Sequence, residues 1–306
     1  MKKPSRGGGK NRGGAGRPSQ TRSGAAPSGR SQAPRSGRPS PKSRAAEARG
    51  GGDDRRTNEV HPRRDGARWV VGIHSVEETL KIRPKAIREM WLKVDFESSQ
   101  QLSALAASAQ HFRIKIHTRS PGQLDQIGSG NQGVAIAVTE NPELDWSKLE
   151  AEGSKVVLIC DGLEDPQNLG AILRTAWLTG VDAIFIPEDR AVGLTPAVCK
   201  IASGGAEHVP VEVVSNLATE MKRLQDLGFW IYGLSEKGTR KPWEFKLPEK
   251  TAWVIGSEGS GMRITTERAC DELVRIPQVA SGSSYNASIA AAMALSETAR
   301  QLGRPE

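Results

Sequence analysis

From Trp69 onward the chain alternates between short apolar runs and amphipathic stretches. "WVVGIHSVEETLKI" (69–82) reads as a strand, a turn and a helix, and "AIREMWLKV" (86–94) as a second strand. "SSQQLSALAASAQHF" (98–112) places Leu102, Leu105 and Ala106 at i, i+3 and i+4, the period of a helix with one buried face. "RIKIHT" (113–118) alternates as a half-buried strand does, and "NQGVAIAV" (131–138) closes the unit. After a polar stretch the pattern changes. "KVVLICD" (155–161), "VDAIFIP" (181–187), "FWIYGLS" (229–235), "AWVIGSEG" (252–259) and "LVRIPQ" (273–278) are near-continuous apolar runs. Helical stretches at 168–180 and 216–228, each stopped by a glycine, and a last helix from about Asn286 lie between or after them.

Strands this apolar are buried on both faces, and βα alternation predicts a parallel sheet. The expected fold class is therefore α/β: a small α/β domain over 67–139, a linker over 140–153 and a larger parallel-sheet domain over 154–306. Ligands of such sheets sit beyond the carboxyl ends of the strands, which directs attention to the loops after 161, 255 and 277.

Residues 1–66 follow neither period. No Leu, Ile, Phe, Tyr or Trp precedes Trp69, and Gly, Pro, Ser and Arg dominate. Such a segment cannot bury enough apolar area to offset chain entropy, so it reads as a disordered basic tail. It holds 17 Lys and Arg against 5 Asp and Glu, a net of +12 in a chain whose total is +8. The remainder is therefore mildly acidic. A flexible cationic tail suits sequence-blind phosphate contact with nucleic acid; a plain solubilising tail is the alternative. An organelle transit peptide is also Arg- and Ser-rich, but this tail has no apolar face for an amphipathic helix. No run approaches a membrane span. Cys160, Cys199 and Cys270 are far apart and the five His form no ligand motif, so no metal is expected. Sparse, odd cysteines fit a reducing cytoplasm.

Three loops carry the candidate chemistry. In "DGLEDPQNLGAILRTA" (161–176), Asp165 and Pro166 read as an N-cap and first helical residue, with Asn168 at the helix mouth and Arg174 further in. Six positions turn a helix by about 600°, so Asn168 and Arg174 do not share a stripe. Read alone, they are a cap and a surface charge. "GSEGSGM" (256–262) lets backbone approach a ligand closely, but its G-x-x-G-x-G spacing is neither a dinucleotide fingerprint nor a P-loop. "IPQVASGSSYNASIAAAMA" (276–294) crowds Ser284, Tyr285 and Asn286 at a helix entrance, then continues in alanine.

In this order, each after a strand, "NLGAILRTA", "VIGSEGSGM" and "IPQVASGSSYNASIAAA" resemble the three motifs of the SpoU/TrmH family of RNA ribose 2′-O-methyltransferases, of the SPOUT superfamily. "GIHSVEETL" and "NQGVAIAV" resemble the L7Ae-like substrate-binding domain of its rRNA guanosine members, with Asn131 where the family usually has His. The resemblance implies a C-terminal deep trefoil knot, a homodimer, S-adenosylmethionine as methyl donor and RNA as substrate. It implies cofactor contacts from Gly256, Ile276 and Tyr285 (commonly Leu in the family), with Ser257 and Gly261 in the same turn. It also implies a reaction site of Arg174, Asn168, Glu258, Ser284 and Asn286. A guanidinium does not readily lose its proton, so Arg174 is expected to orient the ribose hydroxyl, with Asn168 holding it. The expected substrate is a guanosine of large-subunit rRNA. The alternatives are a tRNA guanosine enzyme and a non-catalytic RNA-binding assembly factor.

Overall fold

A computed structural model describes residues 67–303 apart from residues 140 and 281, so the basic tail expected over 1–66 lies outside the described residues. The first unit is built on β1 (Arg68–Val71), β2 (Ile87–Lys93), β3 (Lys115–Arg119) and β4 (Val134–Val138), in the order β1-β4-β2-β3. β4 runs antiparallel to β1 and β2, whereas β2 and β3 are parallel. A parallel pair needs a crossover, and α2 (Gln100–His111) supplies it. The Ser99 hydroxyl accepts the Leu102 N–H at its start, and Leu102, Leu105, Ala106 and Ala109 face the core. α1 (Ile73–Ile82) follows Gly72, whose φ of 91° only glycine adopts freely. A short α3 (Pro121–Asp125) covers the other face.

The second sheet contains β5 (Lys155–Asp161), β6 (Ala183–Pro187), β7 (Val211–Val214), β8 (Trp230–Leu234), β9 (Lys250–Gly256) and β10 (Glu272–Val274). Its order is β10-β8-β9-β5-β6-β7 and every pairing is parallel. The helices are α4 (Trp146–Glu150), α5 (Pro166–Leu178), α6 (Pro196–Ala202), α7 (Gly205–His208), α8 (Leu217–Asp226), α9 (Ile264–Ala269) and α10 (Ala287–Leu302). Side chains alternate across the sheet as a pleat requires. Val156, Leu158, Cys160, Trp253 and Ile255 join a core with Leu169, Leu173 and Leu295. Val157, Ile159, Ala252 and Val254 join a separate core with Leu149, Met221 and Leu224. Each fully buried aliphatic side chain contributes roughly 1.5–3 kcal/mol.

α10 returns to the middle of this sheet. Ala287, Ala291 and Ala294 are buried, and small side chains let the helix lie close to α5 and β9. The Trp253 indole N–H donates to Thr298 Oγ1 at 2.9 Å, and that hydroxyl donates to Ala294 O at 2.7 Å. Both polar groups are thus buried with partners.

The structure departs from the sequence pattern at several points. The stretch expected as linker contains α4, whose Leu149 enters the core. α6, α7 and β7 occupy "PAVCKIASGGAEHVPVEVV", where Gly and Pro punctuation hides short elements. The strand expected to reach 259 stops at Gly256, because Ser257 and Gly261 exchange backbone hydrogen bonds of 3.1 and 3.0 Å in a tight turn. The strand expected over 273–278 stops at Val274; beyond it Arg275 N–H donates to Arg240 O at 3.0 Å.

The two sheets meet over one apolar core containing Val76 and Leu80 of α1 with Leu173, Ala202 and Ala206. Within it lies a polar cluster. Glu207 is 3% exposed. Its Oε2 accepts from Arg83 Nη1 at 3.1 Å, and its Oε1 lies 2.6 Å from Arg68 Nη2 in an ion pair poorly aligned for a hydrogen bond. Arg68 Nη1 donates to Cys199 Sγ at 3.3 Å.

Candidate active site

The carboxyl ends of β5 and β9 and the start of α10 converge on three side chains. Asp165 caps α5 by accepting the Gln167 N–H at 2.9 Å, with Pro166 at the first helical position. This fixes Asn168 in the first turn, 4% exposed. Its Nδ2 donates to Glu258 Oε1 at 2.9 Å. Asn286 caps α10: its Oδ1 accepts from the Ser288 N–H at 2.9 Å and the Ile289 N–H at 3.4 Å. With its oxygen committed to the helix, its amide nitrogen must point the other way. It donates to Asn168 Oδ1 at 2.7 Å and to Glu258 Oε1. The Ala287 N–H completes the set on Glu258 Oε1 at 3.4 Å. One carboxylate oxygen thus faces three N–H donors from two helix entrances.

This triangle stands at the edge of two cavities separated by the 257–261 turn. Gly256 allows the turn: a Cβ there would lie 2.3 Å from the Gly261 carbonyl carbon. Gly259 and Gly261 have φ of 84° and 69°, and no atom lies within 4 Å of where their Cβ would be. Their backbone therefore faces open space. One cavity, of about 460 Å³, is lined by Leu234, Ile255, Gly256, Gly261, Ser284 and Tyr285 among others. The Tyr285 hydroxyl donates to Pro277 O at 3.2 Å, which holds the ring at the wall. The other cavity, of about 500 Å³, lies on the side of Asp161, Asn168 and Arg263. Ser257, Glu258 and Gly261 line both.

Of the residues expected at the site, Asn168, Glu258 and Asn286 are joined by hydrogen bonds, and Ser284, Tyr285, Gly256, Ser257 and Gly261 surround the first cavity. Ile276 is half-buried and is not among that cavity's walls. Arg174 is exposed on α5 and lines a different recess with His74, Glu77 and Trp177. The amide of Asn168 is engaged by Glu258 and Asn286, so it does not hold Arg174 in this chain. Asp161 and Arg263 were not among the expected residues. Asp161 is buried, and it accepts from Arg263 Nε at 2.6 Å and from the Arg263 N–H at 2.8 Å. A carboxylate ending an otherwise apolar strand was the signal available. Among the described residues no group of His, Cys, Asp and Glu is arranged to hold a metal ion.

A six-stranded parallel sheet with a glycine-lined cavity at its strand ends places the chain among α/β proteins that bind ligands there, and the family follows from direct comparison. Residues 155–296 match the SpoU rRNA Methylase family, and residues 69–144 match the RNA 2′-O ribose methyltransferase substrate-binding family. The chain belongs to the SpoU rRNA methylase family. It is similar to the 23S rRNA (guanosine-2′-O-)-methyltransferase RlmB of Pseudomonas aeruginosa, 37% identical over 238 residues, covering 76% of this chain and 96% of that protein. RlmB of Neisseria meningitidis is 38% identical over 239 residues, covering 76% of this chain and 95% of that protein. Among solved structures, the SpoU methyltransferase AviRb from Streptomyces viridochromogenes shares the fold at TM-score 0.67 and 22% identity, over 78% of this chain and 90% of that one. A structure of AviRb in complex with the cofactor AdoMet aligns equally well, at TM-score 0.67.

Proposed function

We infer that this chain is an S-adenosylmethionine-dependent rRNA 2′-O-methyltransferase, acting on a guanosine of large-subunit rRNA. The observation that carries the reading is the Asn168–Glu258–Asn286 triangle. Three distant segments deliver it to the border between two cavities, where one ligand can be held against another. The similarity to RlmB proteins along both sheets supports rRNA over tRNA as substrate.

The first cavity fits the cofactor. Its glycine backbone is uncovered, Leu234, Ile255 and Tyr285 offer apolar surface, and Glu236 and Glu258 favour a cationic ligand, Glu267 being paired with Lys237. Gly256, Ser257, Gly261, Ser284 and Tyr285 would hold it; bound there, S-adenosylmethionine supplies a methyl group already activated on a sulfonium. The chain's own task is to orient a ribose hydroxyl and accept its hydrogen bond. Asn168 and Asn286 fix Glu258 through Oε1, and Oε2, without a partner among the described residues, is the acceptor offered to that hydroxyl.

The threaded topology and the dimer belong to the same proposal. Val274 and Arg275 pass beside the 235–240 loop, with Ser235 N–H donating to Val274 O at 2.9 Å and Arg275 N–H to Arg240 O. A Cβ on Gly238 would lie 2.5 Å from Val274, so loop and strand are in direct contact, as a knot requires. Ile289 and Met293 form an exposed apolar stripe on α10 suited to a second copy. Since Arg174 lies off the triangle within one chain, that second copy is the proposed source of its orienting guanidinium.

The test is tritiated methyl incorporation into purified rRNA and tRNA, with mapping of the modified nucleotide. Incorporation at an rRNA guanosine is expected; none into either RNA would remove the enzyme reading. Arg174→Ala and Asn286→Ala are each expected to lose most activity but to regain it as a co-purified mixed dimer. No regain would place Arg174 in its own chain's site.

A further inference from the structure

The second cavity raises an electrostatic problem that the triangle does not solve. Asp161, Glu164, Asp165 and Glu258 place carboxylates along it, and RNA brings a phosphate at every nucleotide. A carboxylate-lined recess repels that backbone unless a cation is available at its rim. Two arginines line it, Arg190 and Arg263. Arg263 is neutralised by an ion pair, its Nε on Asp161 Oδ1 at 2.6 Å, although its side chain stays 42% exposed. Arg190 is exposed, and among the described residues its guanidinium has no hydrogen-bond or ion-pair partner.

The position of Arg190 is fixed even though its side chain is free. It lies in the loop after β6, at φ 57°, a left-handed conformation that favours glycine. Two residues on, Val192 N–H donates to Leu163 O at 2.8 Å, tying this loop to the one after β5. The Arg190 carbonyl lies 3.8 Å from where a Gly162 Cβ would stand. The loop thus carries an arginine at a backbone position where glycine would be less strained, with a guanidinium unpaired beside the catalytic border.

We propose that the second cavity is the subsite for the target nucleotide and that Arg190 binds a phosphate of that nucleotide, offsetting the carboxylates around it. This rests on the reading of the chain as an RNA methyltransferase. Arg190 is a positioning residue: it holds the nucleotide while the triangle faces the hydroxyl.

Full-length protein and purified rRNA test this by two independent readouts. In Arg190→Ala the KM for RNA is expected to rise about tenfold, with kcat at saturating RNA and S-adenosylmethionine affinity by calorimetry kept. The plot of log RNA affinity against log salt is expected to become shallower by about one, the loss of one phosphate contact. Arg190→Lys recovers most of the affinity, since a point charge serves a phosphate. Arg190→Gly suits φ 57° and is expected to match Ala in RNA binding without lowering the melting temperature. Lys222→Ala, which removes an exposed charge on α8, is the control for net charge. RNA affinity and salt slope in Arg190→Ala equal to the parent's would overturn the proposal. An equal loss in Lys222→Ala would overturn it too, as would Lys failing as badly as Ala, which marks base recognition instead. The binding measurements need no turnover, so they remain decisive should methyl transfer itself fail to appear.

Discussion

Two polar clusters in this molecule are built from similar materials to opposite ends. Arg68, Arg83, Glu207 and Cys199 lie where the two sheets meet; Asn168, Glu258 and Asn286 lie where the strands of the second sheet end. Each joins segments distant in sequence and centres on one glutamate. Glu207 is sealed, and both of its oxygens face arginine. Glu258 stands at the edge of two cavities and keeps one oxygen unpartnered among the described residues. A sealed charge must be matched from within the protein, because water cannot solvate it. An open one can be left incomplete, and the missing partner is where a ligand enters. The exposure of its glutamate, more than residue type, separates the second cluster, the one proposed to act on substrate, from the first.

The sharpest way to break this contrast is Glu207→Ala. It removes the buried carboxylate that two largely buried guanidinium groups face, so a loss of about 3–5 kcal/mol is expected in denaturant unfolding. S-adenosylmethionine affinity of the folded fraction should be unchanged. A smaller effect comes from Cys199 in the same cluster. Burial pushes its thiol up to about 11 despite the neighbouring Arg68. Folding therefore favours the neutral thiol, and its contribution is complete below the unfolded thiol's value near 8.5. It declines as pH rises from there through about 11. Unfolding free energy should fall by roughly 1.4 kcal/mol per pH unit for such a thiol, and Cys199→Ala should show a shallower alkaline decline. A parallel decline in both proteins would remove Cys199 from the account. Smallest in stability is Asn286→Ala, expected to cost about 1 kcal/mol as a lost helix cap. Methyl transfer should nevertheless fall on the order of 10²–10³-fold, the scale seen when one preorganised polar group is lost. Should Asn286→Ala cost as much stability as Glu207→Ala, the distinction between sealed and open clusters fails.

Much of the architecture is legible in the residue pattern. The apolar runs at 155–161, 181–187 and 229–235 become β5, β6 and β8 with shifts of a few residues, because a strand covered on both faces must be apolar at every position. Leu102, Leu105 and Ala106 face the core as their spacing predicted. Short elements escaped: α6 and β7 are too brief for a period to show, and their signals are caps such as Thr195 and Pro196. The 257–261 turn escaped as well, since "VIGSEG" reads as a continuing strand until the close packing of Gly256 against Gly261 is known.

The sequence by itself determined the α/β alternation and the identity of the polar residues at three loops, because local periodicity and capping depend on neighbours in the chain. Only the tertiary structure decided that Asn168, Glu258 and Asn286 touch while Arg174 stands apart, and that Arg263 pairs with Asp161 while Arg190 has no partner among the described residues. Those outcomes depend on hydrogen bonds across about 100 residues of chain, such as the 118 that separate Asn168 from Asn286, and no short-range pattern encodes which distant partner a side chain meets.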